Sequence, residues 1–216
     1  FNGVNAGLNT TTGYSNVFVG PGAGTNVVTG YFNVYLGDRA GQSAGSSSGY
    51  QNIGIGTLSL ASNTTGFTNV FIGHSAGQSN TTGFQNAAIH GGGNNTTGYN
   101  NLFLGSKAGE YNTTSNENIY LGYRAGQNGT TGDRNISIGS FTGNQNQTGF
   151  QNIYIGYTSG GDPFLSTSSN NNIAIGTESG MKCDVDDLIC IGRRAGMLNT
   201  TGFQNISIGT NSGKNN

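Results

Sequence analysis

Residues 199–213 read NTTGFQNISIGTNSG, and this stretch decides the fold. Its Gly209, which closes the short apolar run, returns as an anchor at Gly3, Gly20, Gly37, Gly56, Gly73, Gly105, Gly122, Gly139, Gly156, Gly176 and Gly192, with His90 in the same slot. The steps between successive anchors are 17, 19, 17, 17, 17, 15, 17, 17, 17, 20, 16 and 17 residues. A fixed period across a chain marks a repeat architecture, in which each unit is one supersecondary element.

The columns of the repeat name that element. Three residues before the anchor stand Val17, Val34, Ile53 and Val70, and the column runs on to Ile206; one residue before it stand Val19, Leu36, Ile55 and Ile72, running on to Ile208. Two apolar columns separated by one residue share one face of a β-strand. Their β-branched bias favours strand over helix. A strand of about five residues in each 17-residue period, bounded by Gly-rich turns, leaves no room for a helix. No unit can bury its own apolar face, so the units must stack. The expected fold is all-β: a repetitive parallel β-solenoid or β-roll with 17-residue coils, running over residues 1–216 as a single array of about 12 coils.

The corners explain the composition. Gly, Asn and Thr number 40, 31 and 25 of the 216 residues. The anchor and the Gly four residues later, as in Gly73 and Gly77, bracket a tight turn that needs φ > 0 or close backbone approach. The Thr-Thr-Gly segment makes a second corner. Asn occupies the slot four before the anchor in 11 of 12 repeats, Leu188 being the exception. Two readings of this column stand: side chains bonded from coil to coil as a ladder, or caps of local turns.

Aromatics fill two further columns. One lies two residues before the anchor and includes Phe18, Tyr35, Phe71, Phe103 and Tyr154. The other lies six before it and includes Tyr14, Tyr31, Phe67, Tyr99 and Phe150. Strand parity turns both away from the Ile/Val face. An apolar stripe outside a narrow coil marks an interface, so these ten residues are the interface candidates. The alternative is that corner geometry turns the first column back inward. A closed bundle of parallel identical chains would cover the stripe, with three chains as the first expectation.

Charge excludes other classes. Charged residues are 8 % of the chain and the formal net charge is −1, so there is no basic surface for nucleic acid. No apolar run approaches the roughly 20 residues of a spanning helix. The deviant repeat MKCDVDDLICIG, residues 181–192, lacks the Thr-Thr-Gly corner and the Asn. Its Cys183 and Cys190 are candidates for a local disulfide, which fits an oxidising location. The alternative is two small buried hydrophobes. Asp184, Asp186 and Asp187 are weak candidates for a hard cation such as calcium, without the spacing of a known calcium loop; no other metal or cofactor is expected. Gly73-His74-Ser75-Ala76-Gly77 matches the nucleophile elbow of hydrolases. The repeat already explains it as an ordinary corner, and no enzymatic activity is expected. Regular Thr arrays on a flat solenoid can order water, which keeps ice binding as a rival function. The two Thr of each repeat are adjacent, however, and would face opposite ways in a strand.

The N-T-T-G-x-x-N-x-x-I-G-x-x-A-G pattern resembles the short repeats of bacterial extracellular fibres and adhesins. These are of the type found in large secreted Bacteroidetes proteins and in fibres that end in an endosialidase-type chaperone domain. By analogy it is similar to the heads of trimeric autotransporter adhesins. The resemblance covers the whole chain. It implies a homo-oligomeric, extracellular or cell-surface filament used for attachment, with a cell-surface glycan or protein as receptor. A phage-type tail fibre that binds carbohydrate is a further alternative. The chain begins and stops inside a repeat without a capping unit, so a segment of a longer fibre is expected.

Overall fold

The computed structural model describes residues 1–43, 45–161, 168–183, 185–200 and 204–214. Twelve three-residue strands recur along them: β1 (Val17–Val19), β2 (Val34–Leu36), β3 (Ile53–Ile55), β4 (Val70–Ile72), β5 (Ala87–Ile89), β6 (Leu102–Leu104), β7 (Ile119–Leu121), β8 (Ile136–Ile138), β9 (Ile153–Ile155), β10 (Ile173–Ile175), β11 (Ile189–Ile191) and β12 (Ile206–Ile208). No helix occurs among the described residues. The chain forms two compact units, Phe1–Phe103 and Leu104–Asn216, with the division inside β6.

Each unit is a parallel β-solenoid. In the first, β1 to β5 pair in sequence order and in repeat register, Val17 beside Val34 and Ile53 beside Val70. In the second, β7 to β12 do the same. Each coil donates to the next one: the N–H groups of Val34, Ile53 and Val70 reach the carbonyls of Asn52, Asn69 and Asn86 at 2.8 Å each.

The interior corrects the sequence expectation. The aliphatic columns face outward, and the central residue of each strand faces in. Phe18, Tyr35, Phe71 and Phe103 are essentially unexposed, and Tyr120 and Tyr154 nearly so. These six are core. The alternative reading, in which this column turns inward, is the one the structure adopts. The reason is the width of the coil. Its interior has room for one central strand side chain per coil, a ring in six of the twelve, beside the small Ala or Ser three residues after the anchor (Ala23, Ala40, Ser59, Ala76) and the Asn column, all buried. Small central residues make room beside some rings: Tyr35 lies beside Gly54, and Phe71 beside Ala88. At Gly77 an added Cβ would sit 2.5 Å from the Phe71 ring, so the corner glycine also makes room for the core aromatic.

Anchor glycines bring successive coils into direct backbone contact. Gly37 has φ +136, and a Cβ there would lie 2.6 Å from the carbonyl carbon of Gly56. His90 holds the anchor slot by leaving that conformation for φ 56. Left-handed backbone is not confined to glycine. Arg39, Leu58, Ser75 and Phe141, each two residues after an anchor, all have φ between 54 and 59.

The Asn column is a ladder. Asn69 donates its backbone N–H and its Nδ2 to Asn52 Oδ1, at 3.1 and 3.0 Å, and its own Oδ1 receives the same pair from Asn86 at 3.0 and 3.2 Å. A second ladder runs at the Thr-Thr-Gly corner, where Asn80 Nδ2 donates to Asn63 Oδ1 at 3.1 Å and Asn95 Nδ2 to Asn80 Oδ1 at 3.2 Å. The Asn side chains of these two ladders are thus bonded from coil to coil, which helps make so polar a core tolerable.

Candidate functional site

Three surface features of this solenoid have the regularity or the chemistry to recognise something. The first is the outer strand face. Its two columns of Val, Ile and Leu pack on their neighbours above and below and leave their outer methyl groups in solvent. Ile89 in the first unit is 41 % exposed and Ile191 in the second 38 %. The twelve strands carry no charged residue. Charges flank the face instead, at corner positions such as Asp38–Arg39 and Glu117–Arg134, both exposed ion pairs. Such pairs contribute little to stability.

The second feature is the outer aromatic column. In the first unit Tyr14, Tyr31, Tyr50, Phe67, Phe84 and Tyr99 form one continuous stack. Ring centroids are 4.8 to 5.1 Å apart and interplanar angles 3 to 6°. The rings lie face to face along the coil axis, so inner faces are covered and only edges meet solvent. In the second unit the same slots hold Asn116, Asp133, Phe150, Asn170, Asp186 and Phe203, the last outside the described residues, and polar bonds replace the stack at the Asn and Asp positions. Asp133 Oδ1 accepts the Asn116 N–H at 2.7 Å, and Asp186 Oδ1 accepts that of Asn170 at 2.7 Å. Phe150 is exposed, its N–H donated to Asn170 Oδ1 at 3.0 Å. Of the ten interface candidates, Tyr14, Tyr31, Phe67, Tyr99 and Phe150 are therefore outside, while Phe18, Tyr35, Phe71, Phe103 and Tyr154 are not available to a partner.

The Asp and Cys candidates come from one deviant repeat. Asp186 and Asp187 spend an oxygen each on Asn170 and Asn171, and Asp184 lies outside the described residues. No group of three or more metal-binding side chains occurs among the described residues. Cys183 and Cys190 are free thiols rather than a disulfide, both buried. Cys190 takes the inward position of β11, in register with Ala174 and Ser207. Cys183 donates to the Gly196 carbonyl at 2.6 Å. Burial pushes the thiols up, to about 12 for Cys183 and about 11 for Cys190. With Leu188, Ala195, Ala174 and Tyr154 they form an apolar cluster where the Asn ladder is interrupted. Leu188 still donates its N–H to Asn172 Oδ1 at 2.8 Å.

The third feature was missed in the sequence. Tyr123, Phe141 and Tyr157 come from three successive corners of the second unit. Phe141 meets Tyr123 edge-on at 5.3 Å and Tyr157 at 6.2 Å, with interplanar angles of 85 and 78°. The Arg124 guanidinium carbon lies 5.2 Å from the Tyr123 ring centre and 5.6 Å from that of Phe141. Beside these rings is a cleft of about 150 Å³ lined by Phe141, Asn144, Tyr157 and Thr158. The available signal was three aromatics within the two residues after the anchor in consecutive repeats, where other repeats carry mostly small or polar residues.

No family model, curated protein or solved structure matches the chain.

Proposed function

We propose that this chain is a structural and adhesive segment of an extracellular filament, assembled from several copies of itself and acting without catalysis. The observation that carries the proposal is the outer strand face, an uncharged aliphatic ladder with one step per coil. Solvent-exposed apolar area of this regularity marks a contact surface. The occupant is a second copy. An identical solenoid repeats at the same ~4.8 Å spacing, so its methyl ridges stay in step over every coil, and uncharged strands bring no like-charge repulsion. Closed symmetry would satisfy all copies at once. The edge-exposed aromatic stack adjoins the strands through the Asn corner and extends the apolar border of the first unit. A surface location suits a chain with few charges and buried thiols that need no reducing compartment.

The test is the solution mass of the purified chain, by light scattering coupled to size exclusion. The chain mass is 22.2 kDa. A stable multiple supports the filament reading and gives its symmetry. Ile136→Lys with Ile138→Lys should then return the chain to monomer with its circular dichroism unchanged. A well-behaved monomeric wild type overturns the reading.

One observation favours a second reading. At the Thr-Thr-Gly corner the first Thr hydroxyl is consumed between coils, as in Thr64 Oγ1 to the Thr81 carbonyl at 3.0 Å, while the second, Thr65, Thr82 or Thr97, is exposed. A single file of exposed hydroxyls is an ice-binding candidate. Thermal hysteresis by the monomer would select it over the filament.

A further inference from the structure

We propose that the corner cleft of the second unit binds one neutral pyranose sugar. The inference rests on the adhesive reading and gives it a ligand class. Phe141 and Tyr157 stand at 78° to each other and make two apolar walls. Tyr157 is 53 % exposed, so its ring offers a face to a ligand, unlike the covered rings of the outer stack in the first unit. The cleft of about 150 Å³ has the size that takes a single six-membered ring.

Its polar side matches hydroxyl groups. Asn144 is 5 % exposed, and its Oδ1 is buried with no hydrogen-bond partner among the described residues. A buried acceptor left without a donor calls for a water or a ligand group to supply one. Asn144 lines the cleft, and a turn of its carboxamide would bring that oxygen to a ligand O–H. Thr158, held at φ 52 by the corner, adds a hydroxyl that both donates and accepts. A ring with C–H groups on its faces and hydroxyls around its edge satisfies both halves of the site. A planar aromatic ligand would satisfy the walls but leave Asn144 without its donor.

Arg124 serves as a positioning residue. It lies over the Tyr123 and Phe141 rings, and no ion pair is recorded for it among the described residues, unlike Arg39, Arg134 and Arg194. Cation–π contact holds Phe141 upright as a wall. Among the described residues no carboxylate and no cation lines the cleft, which favours a neutral sugar over an acidic one.

The test is saturation-transfer NMR on the full chain with methyl β-D-galactopyranoside and methyl β-D-glucopyranoside as probes. Transfer to the ring protons of either probe is expected, lost at least tenfold in Tyr157→Ala and in Asn144→Leu, and retained in Tyr111→Ala, an exposed tyrosine of the same unit. Tyr157→Ala truncates an exposed ring and leaves the core intact, so circular dichroism should not change. Absence of transfer to both probes in the folded wild type overturns the proposal, as does undiminished transfer in Tyr157→Ala. Solution mass separates the two readings: a stable multiple without sugar transfer removes the cleft and leaves the filament.

Discussion

Asn69→Ala is the sharpest test of the ladder reasoning. Asn69 is unexposed, and its Nδ2 donates to Asn52 Oδ1 at 3.0 Å and to the Gly83 carbonyl at 2.8 Å, while its Oδ1 accepts from Asn86 N–H at 3.0 Å and Asn86 Nδ2 at 3.2 Å. Truncation leaves some of these groups with a second partner. The Gly83 carbonyl keeps Asn80 Nδ2 at 3.1 Å, and Asn86 Nδ2 keeps the Gly98 carbonyl at 2.7 Å. The Asn86 backbone N–H keeps none. A buried donor stranded in this way costs about 1–3 kcal/mol, and each remaining bond lost removes about 1 kcal/mol net. With three such bonds lost, the sum is a destabilisation of about 4–6 kcal/mol. The assay is equilibrium urea unfolding followed by circular dichroism, paired with hydrogen exchange at the Asn86 amide. Exchange is needed because a solenoid can open locally without unfolding throughout. Thr82→Ala, an exposed change one corner away, should stay within about 0.5 kcal/mol of wild type. A loss below about 1 kcal/mol in Asn69→Ala, with Asn86 protection unchanged, would refute the view that the ladder stabilises the coil stack.

Three other outcomes are expected. Gly37→Ala should destabilise by at least about 2 kcal/mol, read as a lowered melting temperature, because it combines a backbone region closed to Ala with a clash against the next coil. Cys183 and Cys190 should resist an aromatic disulfide reagent near neutral pH and react only on unfolding, since burial disfavours both thiolates. Tyr35, Tyr120 and Tyr154 should ionise late in an alkaline titration followed by tyrosinate absorbance, because burial raises all three, Tyr154 to about 12. A raised folded value gives stability that is whole below the ordinary value of about 10 and lost as pH rises through the folded one; alkaline unfolding should therefore set in between those limits, and Tyr154→Phe should shift it upward.

The period, the strand positions and their parallel stacking were legible because anchor spacing and β-branched columns speak for themselves. Which face is inside was not. Hydropathy ranks Ile and Val above Tyr, so parity was assigned to put Ile53 and Ile55 in the core. The pointer to the right parity was the Asn column. Asn52 shares parity with Gly54 and Asn69 with Phe71, so once the Asn ladder is buried the aromatic column must be buried too. The exposed half of the aromatic set was legible, as Tyr14 and Phe150 attest. Its face-to-face stacking was not, because it depends on ring torsions that repeat spacing does not encode. The corner cleft stayed hidden for a different reason: Tyr123, Phe141 and Tyr157 sit in columns where other repeats vary, and only coil stacking brings them together.

The inverted parity changes what the surface is for. Had the aliphatic columns been internal, the outside would have been a double row of rings, and ring faces would have argued for sugar contact along the whole chain. In the actual arrangement the rings of the first unit stack on each other, which removes their faces from any ligand and leaves an edge. An edge of stacked rings beside an uncharged methyl ladder packs against an identical surface better than against a hydroxylated one. Sugar recognition then needs a place where the stack is broken and a ring face is released. In the second unit Asn and Asp interrupt the outer column, and further exposed rings stand one corner on, at Tyr123 and Tyr157, beside a buried carboxamide with a spare acceptor. The same repeat can thus supply assembly where it is regular and recognition where it departs from itself.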